Sequence, residues 1–535
     1  MVDGVPDADA QVRIPIGMLN RHGLVAGATG TGKTRTLQLM AEQLSASGVS
    51  VFLADMKGDL TGMAMPGAAS DKLTERTSAL GQDWTPVAFP VEFLALGGLG
   101  DGVPVRATIT SFGPTLLARV LGLNEVQESS LSLVFMFADQ NGLPLLDLKD
   151  LRSVIQYLSG ADGKAELEAL GGLSKATAGV LLRQLLTFEA AGADAFFGEP
   201  EFDPADLLRV APDGRGVVSC LELPAVQDRP VLFSTFLMWL LAELFQTLPE
   251  VGDLDKPKLV FFFDEAHLLF NGASKAFLQS ITQTVRLIRS KGVGIIFVTQ
   301  TPKDVPSDVL AQLGSRVQHA LRAFTPDDAK ALKATVSTYP KSSYDLAAVL
   351  TSMGTGEAVV TVLSDKGVPT PVAWTRLRAP QSLMTTAEPG WVAQVIGSSA
   401  LLGRYGAAID RESAYEMLAA RAAQAQLLAA FDAPVPTAAA PASSRSAPAS
   451  ASAASASASA SAAASRSSAS RSSASRSAAS RSAASRSAVP RQAARRVKEP
   501  ETLVEQVLGS AALKGFTASI GKEITRSLFG TTRRR

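Results

Sequence analysis

Cysteine is almost missing: Cys220 is the only one in 535 residues. That excludes an intramolecular disulfide and any zinc site built from paired thiolates, and it fits a reducing, intracellular setting. A long hydrophobic run is missing too, since the most apolar stretch, LFSTFLMWLLAELF at 232–245, stops short of the ~20 residues that a membrane span needs. The first residues, MVDGVPDADAQVRIPIG, lack the basic segment followed by an apolar one that marks a secretory leader. A soluble, cytoplasmic protein without membrane contact is the expectation. Net charge is nearly absent as well, at +1, but the balance is uneven. Residues 433–498 hold ten bases and no acid, residues 499–535 six bases and four acids, and 1–432 is left with −11. An acidic body carries a basic tail.

The remaining composition, 46% apolar and 19% charged, is that of a largely globular chain, long enough for several domains of ~100–200 residues. Strand-length apolar runs at 22–26, 51–54, 105–109, 217–221, 259–263, 294–299, 317–321 and 358–362 alternate with helix-length segments. Such alternation predicts an α/β fold with a mainly parallel central sheet covered by helices. Between residues 111 and 208 helical spacing takes over, as in Leu116, Leu117, Val120 and Leu121, and predicts a helical insertion. The expected layout is therefore a core in two parts, 1–110 and 215–380, an insertion at 111–214, a helical segment at 381–432, a basic low-complexity linker at 433–498 and a short basic amphipathic helix at 499–535. In the linker Arg466, Arg471, Arg476, Arg481, Arg486 and Arg491 recur every five residues. That period matches neither the ~3.6 of a helix nor the ~2 of a strand, and so few large apolar groups cannot offset ordering entropy, which predicts disorder.

In an open parallel sheet, ligands gather beyond the carboxyl ends of the strands, so the polar residues that end these runs come first. Gly27-Ala28-Thr29-Gly30-Thr31-Gly32-Lys33-Thr34 follows an apolar segment and precedes a helical one, in the pattern of a phosphate-binding loop. Glycines let backbone N–H groups close around phosphates, Lys33 neutralises β and γ oxygens, and the Thr34 hydroxyl binds Mg²⁺. The segment KLVFFFDEAH at 258–267 is an apolar strand ending in adjacent carboxylates. Asp264 is the candidate metal residue and Glu265 the candidate that polarises a water, a pair that hydrolysis requires. His267 beside them is as compatible with packing or orienting a neighbour as with sensing nucleotide. Gln300, at the end of the 294–299 run, is placed to touch the γ-phosphate or the attacking water. Asp55 and the following Met56-Lys57-Gly58-Asp59 stand at another strand tip and are compatible with the same site or with an ordinary turn. Arg289, Arg316 and Arg322 flank the last core strands. An arginine offered by a neighbouring subunit would stabilise transition-state charge, and Arg316, read as standing just before a strand, is the first candidate, with Arg322 second.

Four blocks together, NRHGLVAGATGTGKT (20–34), ADMKGDL (54–60), FDEAH (263–267) and RSKGVGIIFVTQTPKDVPSDVLAQLGSRVQHALRAFTPDD (289–328), resemble the HerA-like and FtsK-like P-loop motors, in particular the bacterial YjgR-type HerA-like proteins. The resemblance covers roughly 10–110 and 215–380 and implies a RecA-like ATPase core, ATP and Mg²⁺ as cofactors, a ring that is often a hexamer, and movement along double-stranded DNA. It also implies that Lys33 and Thr34 bind phosphate and Mg²⁺, that Asp264 and Glu265 are the metal and water residues, that Gln300 is the sensor, and that Arg316 or Arg322 is the trans-acting finger. HerA proteins proper carry a β-barrel ahead of the phosphate loop, and the 26 residues before Gly27 are too few for one, so the docking mode that the barrel supports, including nuclease partnership, is not part of the expectation. The leading expectation is a DNA translocase or helicase. A secretion- or conjugation-type ATPase acting on protein or nucleoprotein partners is the alternative, and a phosphotransferase using the same loop is disfavoured by the adjacent acids, which favour water as the acceptor.

Overall fold

The computed structural model describes residues 1 and 5–432, except 170, 253, 271–274 and 365. The basic linker at 433–498 and the helix expected at 499–535 lie outside the described residues. One ten-stranded sheet organises the rest. Its strands are β1 Gly23–Ala26, β2 Ser50–Asp55, β3 Val91–Leu96, β4 Val103–Val105, β5 Val218–Glu222, β6 Leu259–Phe263, β7 Val293–Thr299, β8 Ser315–Gln318, β9 Glu357–Thr361 and β10 Ala373–Arg376. The order across the sheet is β10-β9-β8-β1-β7-β6-β2-β5-β3-β4, and every pairing is parallel except β8 with β9 and β9 with β10.

The α-helices are α1 Lys33–Ala46, α2 Asp71–Ala79, α3 Ile109–Val120, α4 Glu125–Gln140, α5 Leu148–Ser159, α6 Lys164–Ala169, α7 Lys175–Ala190, α8 Pro230–Thr247, α9 His267–Phe270, α10 Lys275–Ile288, α11 Ser307–Leu310, α12 Pro326–Val336, α13 Leu346–Ser352, α14 Pro389–Gly397, α15 Leu402–Tyr405 and α16 Ala414–Asp432. Because successive side chains of a strand point to opposite faces, the run Phe261-Phe262-Phe263 feeds two cores at once. Phe261 and Phe263 join Phe52, Phe297 and the helices of the insertion on one face, while Phe262 joins Val25, Leu53 and the Leu37, Ala41 and Leu44 stripe of α1 on the other. Strands buried on both faces read as continuous apolar runs, which is why the central strands were legible in the sequence.

The insertion is helical as expected, with α3 to α7 between β4 and β5. The apolar run at 232–245 forms most of α8, whose Phe233, Phe236, Trp239 and Leu240 are fully buried. A helix apolar all round is a core helix here.

Two expected strands move. The 105–109 run ends its ladder at Val105, because the Thr108 hydroxyl accepts from the Ser111 N–H and starts α3. The 317–321 run begins earlier, at Ser315, and leaves the ladder after Gln318 to lie along the phosphate loop. Arg316 therefore stands inside β8, opposite Leu24 and Thr361, and not ahead of the strand. β3 and β10 were not anticipated. β3 carries a buried Glu92 paired with Arg209 at 2.6 Å, and β10 is a four-residue edge strand, half-buried throughout.

Candidate nucleotide site

β1 ends at Ala26, the glycine loop follows, and α1 starts at Lys33. Gly30 and Gly32 take φ of 79° and 113°, which side chains with a Cβ rarely adopt. Gly27 is required for a different reason: a Cβ there would stand 2.4 Å from the His319 Cβ. Gly32 gives α1 no side-chain cap, so the first-turn N–H groups are open to an anion, reinforced by the positive end of the helix dipole.

Neighbouring strands hold this loop. The Gly27 N–H donates to the Thr299 carbonyl of β7 at 3.2 Å, the His319 N–H to the Ala26 carbonyl at 2.7 Å, and the Ala28 N–H to the Ala320 carbonyl at 2.8 Å. His319 Nε2 lies 2.8 Å from the Thr36 hydroxyl of α1. Burial pushes its imidazole down to about 4, so His319 is a neutral strut beneath the loop. No role was assigned to it from the sequence, although it lies in the last of the four resembling blocks.

Lys33 is buried, and its Nζ donates to the Gly27 carbonyl at 2.7 Å and the Ala28 carbonyl at 3.2 Å. Burial lowers its pKa, while the nearby Glu265 and Asp264 charges act the other way. The lysine of the loop and the acids of β6 thus belong to one electrostatic cluster. Thr34, half-buried, occupies the first turn of α1.

Asp264 and Glu265 follow β6 directly. Asp264 is buried and its Oδ2 has no hydrogen-bond partner among the described residues. Burial raises its pKa to about 7, against the opposing effect of Lys57. A buried, unsatisfied carboxylate oxygen is costly, and a hard divalent cation is the group that would offset that cost. Asp264 and the Thr34 hydroxyl are the residues that would hold Mg²⁺. Glu265 adopts a left-handed φ of 47°. Burial pushes its carboxyl up, but the hydrogen-bonded Lys57 ammonium outweighs this and keeps it below the usual carboxylate range. The other oxygen, Oε2, is 3.3 Å from His267 Nδ1.

Gln300 is exposed just past β7, and β7 lies between β1 and β6. The turn behind it is pinned by Asp304, whose Oδ2 accepts from the Thr299 hydroxyl at 2.9 Å and the Thr301 N–H at 3.0 Å. Lys33, Thr34, Asp264, Glu265 and Gln300 are therefore brought to the carboxyl edge of three adjacent strands.

The arginines are not gathered with them. Arg289 lies ahead of β7, at the amino end of the sheet. Arg316 donates to the Thr338 hydroxyl at 2.7 Å and lies over the Tyr339 ring at 6.0 Å. Arg322 is exposed in the loop after β8, close in sequence to His319 and Ala320. The Asp55 carboxylate accepts from the N–H groups of Lys57 at 3.0 Å, Gly58 at 2.8 Å and Leu60 at 2.8 Å. It anchors the turn that carries Lys57. A cavity of about 270 Å³ continues from the loop, bounded by Gly32, Thr36, Leu73, Arg76, Leu377 and Pro380 among others.

A strand carrying a polar amide, inserted between the glycine-loop strand and the acidic strand, places the chain in the RecA-like class of P-loop nucleoside triphosphatase folds. Within that class, a family model described as Helicase HerA-like C-terminal matches residues 2–452, and the chain belongs to this family. It is 21% identical over 360 residues to the DNA double-strand break repair helicase HerA of Sulfolobus acidocaldarius, covering 66% of this chain and 64% of that protein. It is 23% identical over 360 residues to the protein of the same name from Sulfurisphaera tokodaii, with the same coverage of each. The chain thus spans about 64% of the length of these relatives. Among solved structures it is similar to the plasmid coupling protein TrwB in complex with an ATP analogue, at 16% identity and a TM-score of 0.47 over 72% of this chain and 91% of that one.

Proposed function

We propose that the chain is an ATP- and Mg²⁺-dependent motor that forms a homo-oligomeric ring, a hexamer, and moves along double-stranded DNA. The observation that carries this reading is the convergence of the glycine loop, Asp264 with its unsatisfied oxygen, and Glu265 at the carboxyl ends of neighbouring strands. Family membership and the similarity to two DNA double-strand break repair helicases support DNA as the substrate. Bound Mg²⁺ would supply Lewis-acid charge neutralisation at the β and γ phosphates. The residues of the chain do the rest. First-turn N–H groups and Lys33 orient the phosphates, Glu265 takes a proton from the attacking water, and Gln300 hydrogen-bonds that water or the γ-phosphate. The cavity beside Thr36 and Arg76 takes the base and ribose.

For the finger, Arg322 becomes the first choice over Arg316, because Arg322 is exposed at the carboxyl end of β8 whereas Arg316 already serves Thr338 and Tyr339. Arg322→Ala alone is expected to be nearly inactive, and mixing it with a Lys33 variant should restore part of the ATPase rate. If Arg316→Ala shows that rescue and Arg322→Ala does not, the order reverts.

The acidic −11 of residues 1–432 is compatible with DNA only if positive charge is concentrated on the lining of a ring, where it acts locally. The test is ATPase activity with and without duplex DNA across a salt series, alongside a mass measurement with nucleotide bound. Duplex DNA should raise the rate several-fold, and the stimulation should fade as salt rises. A flat response across the series would overturn DNA as substrate and point to a protein or nucleoprotein partner.

A further inference from the structure

We propose that Lys57 is a positioning residue that holds Glu265 in register for its water. The inference rests on the reading of Glu265 as the water-activating carboxylate. β2 and β6 are adjacent and parallel, with Ala54 opposite Phe263, so the turn after β2 and the acids after β6 emerge side by side. Lys57 Nζ hydrogen-bonds Glu265 Oε1 across this junction.

Three features make the contact a fixed strut. The turn that bears Lys57 is tied at its base by the Asp55 carboxylate through the Lys57, Gly58 and Leu60 N–H groups. Gly58 supplies a φ of 69°, so the chain reverses at once and keeps Lys57 at the strand tip. On the other side, Glu265 sits in a left-handed backbone conformation directly after β6, and its Oε2 forms no hydrogen bond among the described residues. With His267 Nδ1 at 3.3 Å but not bonded, Lys57 supplies the hydrogen bond that selects the rotamer of the carboxylate.

A carboxylate with several staggered rotamers finds a water in line with a γ-phosphate only part of the time, and misplacement of a catalytic group by about 1 Å costs ~10²-fold in rate. The side chain of Lys57 is 49% exposed and that of Glu265 10%, so the lysine reaches the acid from the solvent side. Among the described residues its Nζ hydrogen-bonds Glu265 and not the glycine loop, although its charge also acts on Lys33 and Asp264.

The experiment uses the full chain at saturating ATP and Mg²⁺, with kcat, KM, the Kd of a fluorescent ATP analogue and the melting temperature measured together. Lys57→Met should lower kcat on the order of 10- to 100-fold while the analogue's Kd changes by less than about 3-fold, and Lys57→Arg should recover a third or more of the lost rate. In a Glu265→Gln background, Lys57→Met should cost less than about 2-fold further, since it has no carboxylate left to position. An unchanged kcat in Lys57→Met overturns the proposal. So does a loss of the same size with Glu265 already replaced, or an Arg variant as slow as the Met variant at an unchanged melting temperature. If Lys57→Met melts early, the Arg variant and the double-mutant comparison decide. Normal turnover in Glu265→Gln alone would instead remove the reading on which the proposal stands.

Discussion

Glu265→Gln is expected to bind ATP and Mg²⁺ about as tightly as the unmodified chain and to hydrolyse it ~10² to 10⁴ times more slowly. The amide keeps the size and planarity of the carboxylate, so the turn after β6 and the Lys57 contact at Oε1 survive in shape, with a neutral acceptor in place of a charged one. It cannot take a proton from water. The loss should appear in kcat with little change in KM, the pattern of an interaction made only in the transition state. Single-turnover hydrolysis of radiolabelled ATP, beside equilibrium binding of a fluorescent analogue, separates the two quantities. Near-normal turnover would mean that another group activates the water and that the position of Glu265 beside Asp264 is structural.

Lys33→Ala should act at the other step and abolish tight ATP binding, with a Kd raised ~100-fold or more. An ammonium contributes roughly 1.5–3 kcal/mol for each hydrogen bond to a charged partner, and the γ and β phosphates supply more than one, which converts to that factor at about 1.4 kcal/mol per tenfold. The same substitution removes the donor to the Gly27 and Ala28 carbonyls, so the loop itself loosens. Lys33→Met fills the buried space and separates these contributions. It should melt close to the unmodified chain while binding ATP as poorly as the alanine variant. If Lys33→Met keeps tight binding, the first-turn N–H groups of α1 carry the phosphates without the lysine.

The two substitutions probe residues that are both readable from the sequence alone. GATGTGKT and the run FFFDE announce themselves because their chemistry is local: a glycine loop between a strand and a helix, and carboxylates directly after a buried strand. Gln300 was legible for the same reason. Less legible was what holds these groups in place. His319 lies 283 residues from Thr36, to which it is bonded, and nothing in its own neighbourhood distinguishes it from a histidine of any buried turn. Lys57 and Glu265 stand 208 residues apart, and a lysine after a strand, taken alone, has no assigned partner. Arg316 was placed ahead of a strand because the Val317 to Leu321 run looked like one. Hydrogen bonding ended that strand at Gln318 and drew the next two residues onto the phosphate loop.

Apolar periodicity and turn chemistry in the chain itself determined the α/β class, the central strands and the helical insertion, and singled out the candidate site residues, since each depends on neighbours a few positions away. The order of strands across the sheet, and with it the seating of β7 between β1 and β6, was decided only by the tertiary structure. So were the choice of Lys57 as the partner of Glu265, the support of the loop by His319 and the engagement of Arg316 by Thr338 and Tyr339. Those depend on which distant segments meet, and parallel strands joined by long crossovers place together residues whose separation along the chain carries no periodic signal.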